Sequence, residues 1–150
     1  PFSGYPTFVA EVFFRIQLMG VVPVLAHPER AALGRSDPAK LVEYATRGAL
    51  LQVNVDSIIG REGRAVRAVA HRLLREGAVY VVASDGHDPR SRPPRLTVAR
   101  KAVCRLCGDE AFTRLSEIHP GRILGAPWDS LNPRATATSA PAAGEGALPV

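Results

Sequence analysis

Cysteine is scarce in this chain of 150 residues: there are two, Cys104 and Cys107. Two cannot make a disulfide scaffold, so burial must hold the fold, and a cytoplasmic setting is the default expectation. They are spaced C-x-x-C in a helical stretch, without the further ligands zinc needs or the preceding strand of a redox pair. They are expected to serve as small buried apolar groups. Long apolar runs are also missing. Nothing approaches the roughly 18 consecutive apolar residues of a membrane span, and no signal-peptide pattern opens the sequence, so no membrane insertion is expected. Negative charge is in deficit: 14 Asp and Glu stand against 19 Lys and Arg, a formal net charge of +5. That balance fits anionic partners such as phosphorylated substrates, nucleic acid or a lipid surface, although an arginine-rich surface can equally be plain solvated charge.

What is present is a typical globular composition, 46% hydrophobic, in one domain's worth of chain. Strand-like runs alternate with helical ones. A helix is expected from Pro6 through Met19, with Val9, Val12, Phe13 and Ile16 on one face and Gly20 as its stop. Val21–Ala26 reads as a buried strand, with Pro23 near its start. Asp37-Pro38 is an N-cap followed by a proline at the first helical position, opening a helix that turns Leu41, Val42 and Ala45 inward and ends at Gly48. Ala49–Val55 is the next strand, and a third helix runs from about Arg61 to Glu76 with Val66, Val69, Leu73 and Leu74 inward. Its arginines and His71 read as a solvated face, His71 being either structural or exposed. Val79–Ala83 is β-branched and aromatic, a buried strand. Leu96–Leu106 forms a helix with Val98, Ala99, Ala102 and Val103 for packing. Asp109 caps a short helix through Leu115, and Ile118–Leu124 ties the end down. Residues 131–150 are rich in Ala, Pro, Gly and Thr without an apolar period, a disordered tail beyond a folded 1–130. Alternating helices and strands imply parallel βα units, hence an α/β fold with about three parallel strands.

The chemistry concentrates after the third strand. Ser84-Asp85-Gly86-His87 places a carboxylate and an imidazole two residues apart. If the chain is still extended there, both point to one side, at the strand end where α/β folds bind ligands. Both side chains suit a divalent metal such as Mn, Fe or Zn, although Asp-Gly is also an ordinary turn. Arg90, Arg92 and Arg95 follow, interleaved with Pro89, Pro93 and Pro94, and favour a bound oxyanion such as phosphate. The first strand likewise ends in His27-Pro28-Glu29-Arg30, a histidine with an arginine three residues on.

The runs AHPER at 26–30, LQVNVDSIIG at 51–60 and VVASDGH at 81–87, with Arg92 beyond, resemble the PHP (polymerase and histidinol phosphatase) superfamily. The branch they most resemble is the bacterial metal-dependent tyrosine-protein phosphatases of capsule and exopolysaccharide loci. The resemblance implies a distorted (β/α)7 barrel, of which this chain would be the C-terminal part. It implies a cluster of divalent metals, manganese first with iron or zinc as alternatives. His27, Asp85 and His87 inherit the role of metal ligands, and Arg30 and Arg92 that of handling the phosphate. The implied partner is a phosphotyrosyl protein, a bacterial tyrosine kinase in particular, with no nucleic acid expected. The implied reaction is attack by a metal-held hydroxide, with no cysteine nucleophile; neither Cys104 nor Cys107 sits in a C-x5-R arrangement.

The sequence departs from the family in three places. Gly86 stands where Ala is usual, read as a harmless change. His119-Pro120 stands where Asn-Pro is common, so His119 is read as incidental. The family's opening Asp-x-His-x-His and a Glu just before a PFSGYP-like segment have no counterpart, so the chain is expected to be the C-terminal half of a longer protein. Two rival readings remain at this stage: another PHP phosphoesterase acting on histidinol phosphate or a nucleic-acid end, and an inactive fragment that only binds. The three ligands are expected to converge in one site, and the chain alone to bind Mn²⁺ weakly and to self-associate through open strand edges.

Overall fold

The structure is a computed structural model that describes residues 8–90 and 93–125. The expected tail at 131–150 and the residue Arg92 lie outside the described residues. Three strands, β1 (Val24–Ala26), β2 (Leu50–Asn54) and β3 (Val79–Ala83), pair in parallel in the order β1-β2-β3. Val24 lies opposite Leu50, and Asn54 opposite Ala83, with a register shift between Leu51 and Gln52. Sequential order in a parallel sheet requires each crossover to return over a helix, and that is how the chain runs. The longer helices are α1 (Val9–Leu18), α3 (Pro38–Thr46), α5 (Arg64–Arg75) and α6 (Arg100–Cys107). Short ones fill between them: α2 (Ala32–Ser36), α4 (Val55–Ile59), α7 (Ala111–Thr113) and α8 (His119–Ile123). No helix among the described residues is long and apolar enough to cross a membrane.

The local signals mark most of these boundaries. The Asp37 carboxylate accepts a hydrogen bond from the Lys40 N–H at 3.3 Å, which satisfies one of the donors left open at the start of α3. The core lies on one side of the sheet, where Leu51 and Val53 meet Leu41, Leu73 and Val103, all fully buried. At roughly 1.5–3 kcal/mol for each large apolar side chain removed from water, this layer dominates the stability of the domain. Truncating any of them leaves a cavity as well.

Among the described residues, the opposite face of the sheet is thinly covered. Tyr80 stacks on the His119 ring at 4.1 Å between centroids, and the Tyr80 carbonyl lies 2.8 Å from His119 Nδ1. His119 is a packing residue, in line with its reading as incidental. Val24, on the edge strand, remains 50% exposed.

Four expectations need correction. The first strand is shorter than Val21–Ala26: pairing starts where the Leu50 N–H donates to the Pro23 carbonyl, and Val21 and Val22 lie exposed. Pro23 has no N–H, and the edge gives the residues before it no partner. The second strand stops at Asn54, because Val55 opens the separate helix α4, and α5 begins only at Arg64. Gly60, at φ +91°, supplies the left-handed turn that ends α4. Val98 does not pack; it is exposed in a 3-10 turn, Thr97–Ala99, that precedes α6. His71, read as structural or exposed, is structural: it is half-buried, with Nε2 2.9 Å from the Ile58 carbonyl, and ties α5 to α4.

Both cysteines are free and half-buried, and each thiol donates to a backbone carbonyl: Cys104 to Asp109 and Cys107 to Leu74, each at 3.3 Å. Burial pushes the Cys107 thiol above its ordinary value, against the pull of the nearby Arg114 and Arg75 charges. A raised value leaves less thiolate at any given pH. Iodoacetamide at about pH 8 is therefore expected to modify Cys107 several-fold more slowly in the folded protein than in urea. Equal rates in a mass-spectrometric time course would contradict this placement.

Candidate active site

The carboxyl ends of the three strands carry the polar residues, and the backbone there is unusual. His27 ends β1 at φ +39° and ψ +50°, and Asp85, two residues past β3, has φ +50°. Among the described residues these are the two non-glycine positions with positive φ. Left-handed backbone disfavours residues with a Cβ, though His, Asp and Asn tolerate it better than most. Such conformations persist only where the surroundings hold them, and they gather at functional sites.

The surroundings are visible. The His27 N–H still donates to the Gln52 carbonyl at 2.8 Å, so β2 holds the backbone while the chain turns into the 3-10 turn Pro28–Arg30. Gly34 makes this turn possible by proximity. A Cβ placed on it would lie 2.3 Å from the Pro28 carbonyl oxygen and 3.2 Å from both Glu29 Cα and Leu41 Cδ1.

Asn54, fully buried at the end of β2, connects the other two strand ends. Its Nδ2 donates to Asp85 Oδ2 at 3.0 Å, its Oδ1 accepts from Gln52 Nε2 at 2.7 Å, and its backbone N–H donates to Glu29 Oε1 at 3.0 Å. Arg30 lies between two carboxylates, with Nη1 3.5 Å from Asp85 Oδ2 and Nη2 3.5 Å from Glu62 Oε2. Its side chain is only 16% exposed. Glu29 is completely buried, and burial raises its carboxyl above the ordinary range; the Ser57 hydroxyl, the Asn54 N–H and the Arg30 charge act against that rise. Although Ser57 is close enough to act on it, neither Glu29 Oε2 nor Ser57 Oγ makes a hydrogen bond of good geometry.

His87 is mostly exposed, with Nδ1 2.6 Å from the Asp85 carbonyl oxygen and 3.9 Å from Asp85 Oδ1. A carbonyl oxygen can only accept, so His87 Nδ1 carries a proton. The extended chain expected through Asp85 is not found. A left-handed residue turns the backbone, and the two side chains meet by a turn instead of by strand alternation. A Cβ on Gly86 would stand 3.1 Å from Pro94 Cα and N, close enough that Pro94, which is exposed, would have to yield slightly.

The predicted site residues are thus distributed as follows. Asp85, His87 and Arg30 come together; His27 stands half-buried at the end of β1, with β2 between it and β3, and Arg92 lies outside the described residues. Two strand spacings amount to about 10 Å. Among the described residues, no three His, Cys, Asp or Glu side chains are grouped closely enough to hold a metal ion. The donor types suit a divalent cation, but the donors brought together here do not close a coordination sphere. Asn54, Gln52, Glu29 and Glu62 were not singled out from the sequence. The one sign of Asn54 was a polar residue ending an apolar strand within LQVNVDSIIG.

The model of a family described as "Capsular polysaccharide synthesis, CpsB/CapC" matches residues 5–125. The chain belongs to the CpsB/CapC family. The resemblance carried by AHPER, LQVNVDSIIG and VVASDGH is borne out, and so is the α/β fold class. Among CpsB/CapC relatives, the tyrosine-protein phosphatase YwqE of Bacillus subtilis is 35% identical over 92 residues, 61% of this chain and 36% of the relative. The tyrosine-protein phosphatase CpsB of Streptococcus pneumoniae is 27% identical over 114 residues, 73% of this chain and 47% of the relative. A chain from the crystal structures of YwqE from Bacillus subtilis and CpsB from Streptococcus pneumoniae, described as unique metal-dependent tyrosine phosphatases, superposes with a TM-score of 0.76 at 29% identity. The match covers 85% of this chain and 51% of that one. The chain therefore spans about half the length of the CpsB/CapC proteins it matches, or less.

Proposed function

We propose that the protein acts in metal-dependent hydrolysis of phosphotyrosine on proteins, within the cytoplasm and in the control of capsule or exopolysaccharide synthesis. The observation that carries this reading is the Arg30–Asp85–Asn54 cluster at the carboxyl end of the sheet, flanked by left-handed residues at His27 and Asp85. His27, Asp85 and His87 would hold the metal, manganese first, together with donors from the part of the family's length that this chain does not span. When bound, such a metal lowers the pKa of its water and so supplies the nucleophile. The chain's own residues do the rest. Asn54 fixes the rotation of the Asp85 carboxylate. The Asp85 carbonyl sets the His87 tautomer, so that Nε2 serves as the ligand atom. Arg30 and Arg92 neutralise the non-bridging phosphoryl oxygens as charge builds in the transition state. The physiological partner we propose is a bacterial tyrosine kinase carrying phosphotyrosine.

Phosphate release from a phosphotyrosyl peptide tests the proposal, using the protein joined to the remaining family length. Chelation is expected to abolish release and Mn²⁺ to restore it. Full turnover in the chelated protein would overturn the metal dependence. Faster release from histidinol phosphate or a nucleic-acid 3′ phosphate would move the substrate.

A further inference from the structure

A second cationic surface lies along α5, apart from the strand-end cluster. Arg64, Arg67, Ala68, His71 and Arg75 line an open groove of about 480 Å³. Their spacing puts them on one side of the helix, since residues three, four, seven and eleven apart return to the same face. Two other arginines nearby are neutralised: Arg61 pairs with Asp56 at 3.2 Å and Arg72 with Glu76 at 2.7 Å. Arg64, Arg67 and Arg75 form no ion pair or side-chain hydrogen bond with another described residue. His71 is held by the Ile58 carbonyl, and Arg64, Arg67 and Arg75 are all exposed.

Along the chain the groove begins close to the candidate active site: α5 follows β2 and α4 and leads toward β3, and Arg64 is two residues from Glu62, the ion-pair partner of Arg30. From Arg64 to Arg75 is about 16 Å along the helix axis, the length of roughly five residues of extended chain.

We infer that this face of α5 docks an acidic stretch of the polypeptide whose phosphotyrosine enters the site, a reading that rests on the function proposed above. Acidic side chains at alternating positions of an extended segment would meet the three arginines in turn. A lipid surface fits less well, because Ala68 is the one apolar lining residue and nothing there would insert into a bilayer. Single-stranded nucleic acid fits less well for want of an aromatic side chain on which a base could stack.

The test uses the protein with fluorescent peptides in which tyrosine is followed by Glu at alternating positions, and matched peptides with Gln there. Both are prepared with and without the phosphate. In about 50 mM salt, the Glu peptides are expected to bind about tenfold more tightly than the Gln peptides, and salt at about 500 mM to erase most of that difference. Arg67→Glu with Arg75→Glu should remove the preference, and so should the milder Arg67→Gln with Arg75→Gln, which controls for charge-reversal damage to the fold. Equal affinities for the two peptides in the unaltered protein would overturn the docking surface, as would a preference that survives both variants. Tighter binding of an oligonucleotide or of phosphatidylserine vesicles through the same arginines would overturn the choice of partner. Phosphate release from the phosphorylated peptides, read with the protein joined to the remaining family length and supplied with Mn²⁺, tests the phosphatase function separately. Its absence there would overturn that function, while the unphosphorylated pair still decides whether α5 docks acidic chains.

Discussion

In the protein joined to the remaining family length, Arg30→Ala is expected to lower the proposed turnover of a phosphotyrosyl peptide by about 10²- to 10³-fold, the loss that follows removal of one preorganised donor to a developing oxyanion. The effect should be large because the guanidinium is already in place. Ion-pair contacts to Asp85 and Glu62, at 3.5 Å each, hold it on both sides while it is only 16% exposed. A donor held in that way does not reorganise when charge appears on the substrate. Arg30→Lys keeps a positive charge but gives up the planar fork that can reach both carboxylates and a phosphoryl oxygen, so it should recover only part of the rate. Metal content and the melting temperature, measured alongside, separate phosphate handling from coordination and from folding. Turnover unchanged in Arg30→Ala would take Arg30 out of the mechanism.

The second large effect is on stability, at a residue with no polar chemistry. Gly34→Ala is expected to destabilise the fold by about 3 kcal/mol, in the upper range for a forced overpacking. Gly34 is not needed for positive φ; it belongs to α2, and its use is space. The added carbon would sit 2.3 Å from the Pro28 carbonyl oxygen, far inside van der Waals contact, with Glu29 Cα and Leu41 Cδ1 closing the other sides. Leu41 is fully buried and cannot swing out, and the Pro28 carbonyl belongs to the turn that positions His27 and Arg30. Relief must therefore come from moving that turn. For a domain of this size the melting temperature should fall by roughly 10 °C, and phosphate release should fall with it. A melting temperature within about 1 °C of the unaltered protein would show that the turn has room the structure does not give it.

Legibility in the sequence followed the range of the interaction. α3 was readable from Asp37, Pro38 and Gly48, because an N-cap and a C-terminal glycine act within one turn of chain. β3 was readable to the residue from its β-branched run, and α5 from the apolar spacing of Val66, Val69 and Leu73. The chemistry-bearing strand ends were readable too, since His27 follows directly on one apolar run and Asp85 and His87 come just after another. Sequence alone therefore determined the alternating α/β order, the family, and the end of the sheet at which polar groups gather.

Tertiary structure decided how those groups meet. The Asn54–Asp85 hydrogen bond joins residues 31 apart in the chain, and the Glu29–Asn54 bond joins residues 25 apart. Both depend on which strands lie side by side and on how their ends line up, which no local pattern encodes. The left-handed backbone at His27 and Asp85 was equally out of reach, because a residue with a Cβ adopts it only when its surroundings over-determine it. The helix α4 escaped notice for a related reason: Val55–Ile59 carries β-branched residues that favour strand, and its burial under the neighbouring helices outweighs that local preference. Patterns of period two and of 3.6 report which face of an element is apolar; the contacts between elements arise only once those faces have packed.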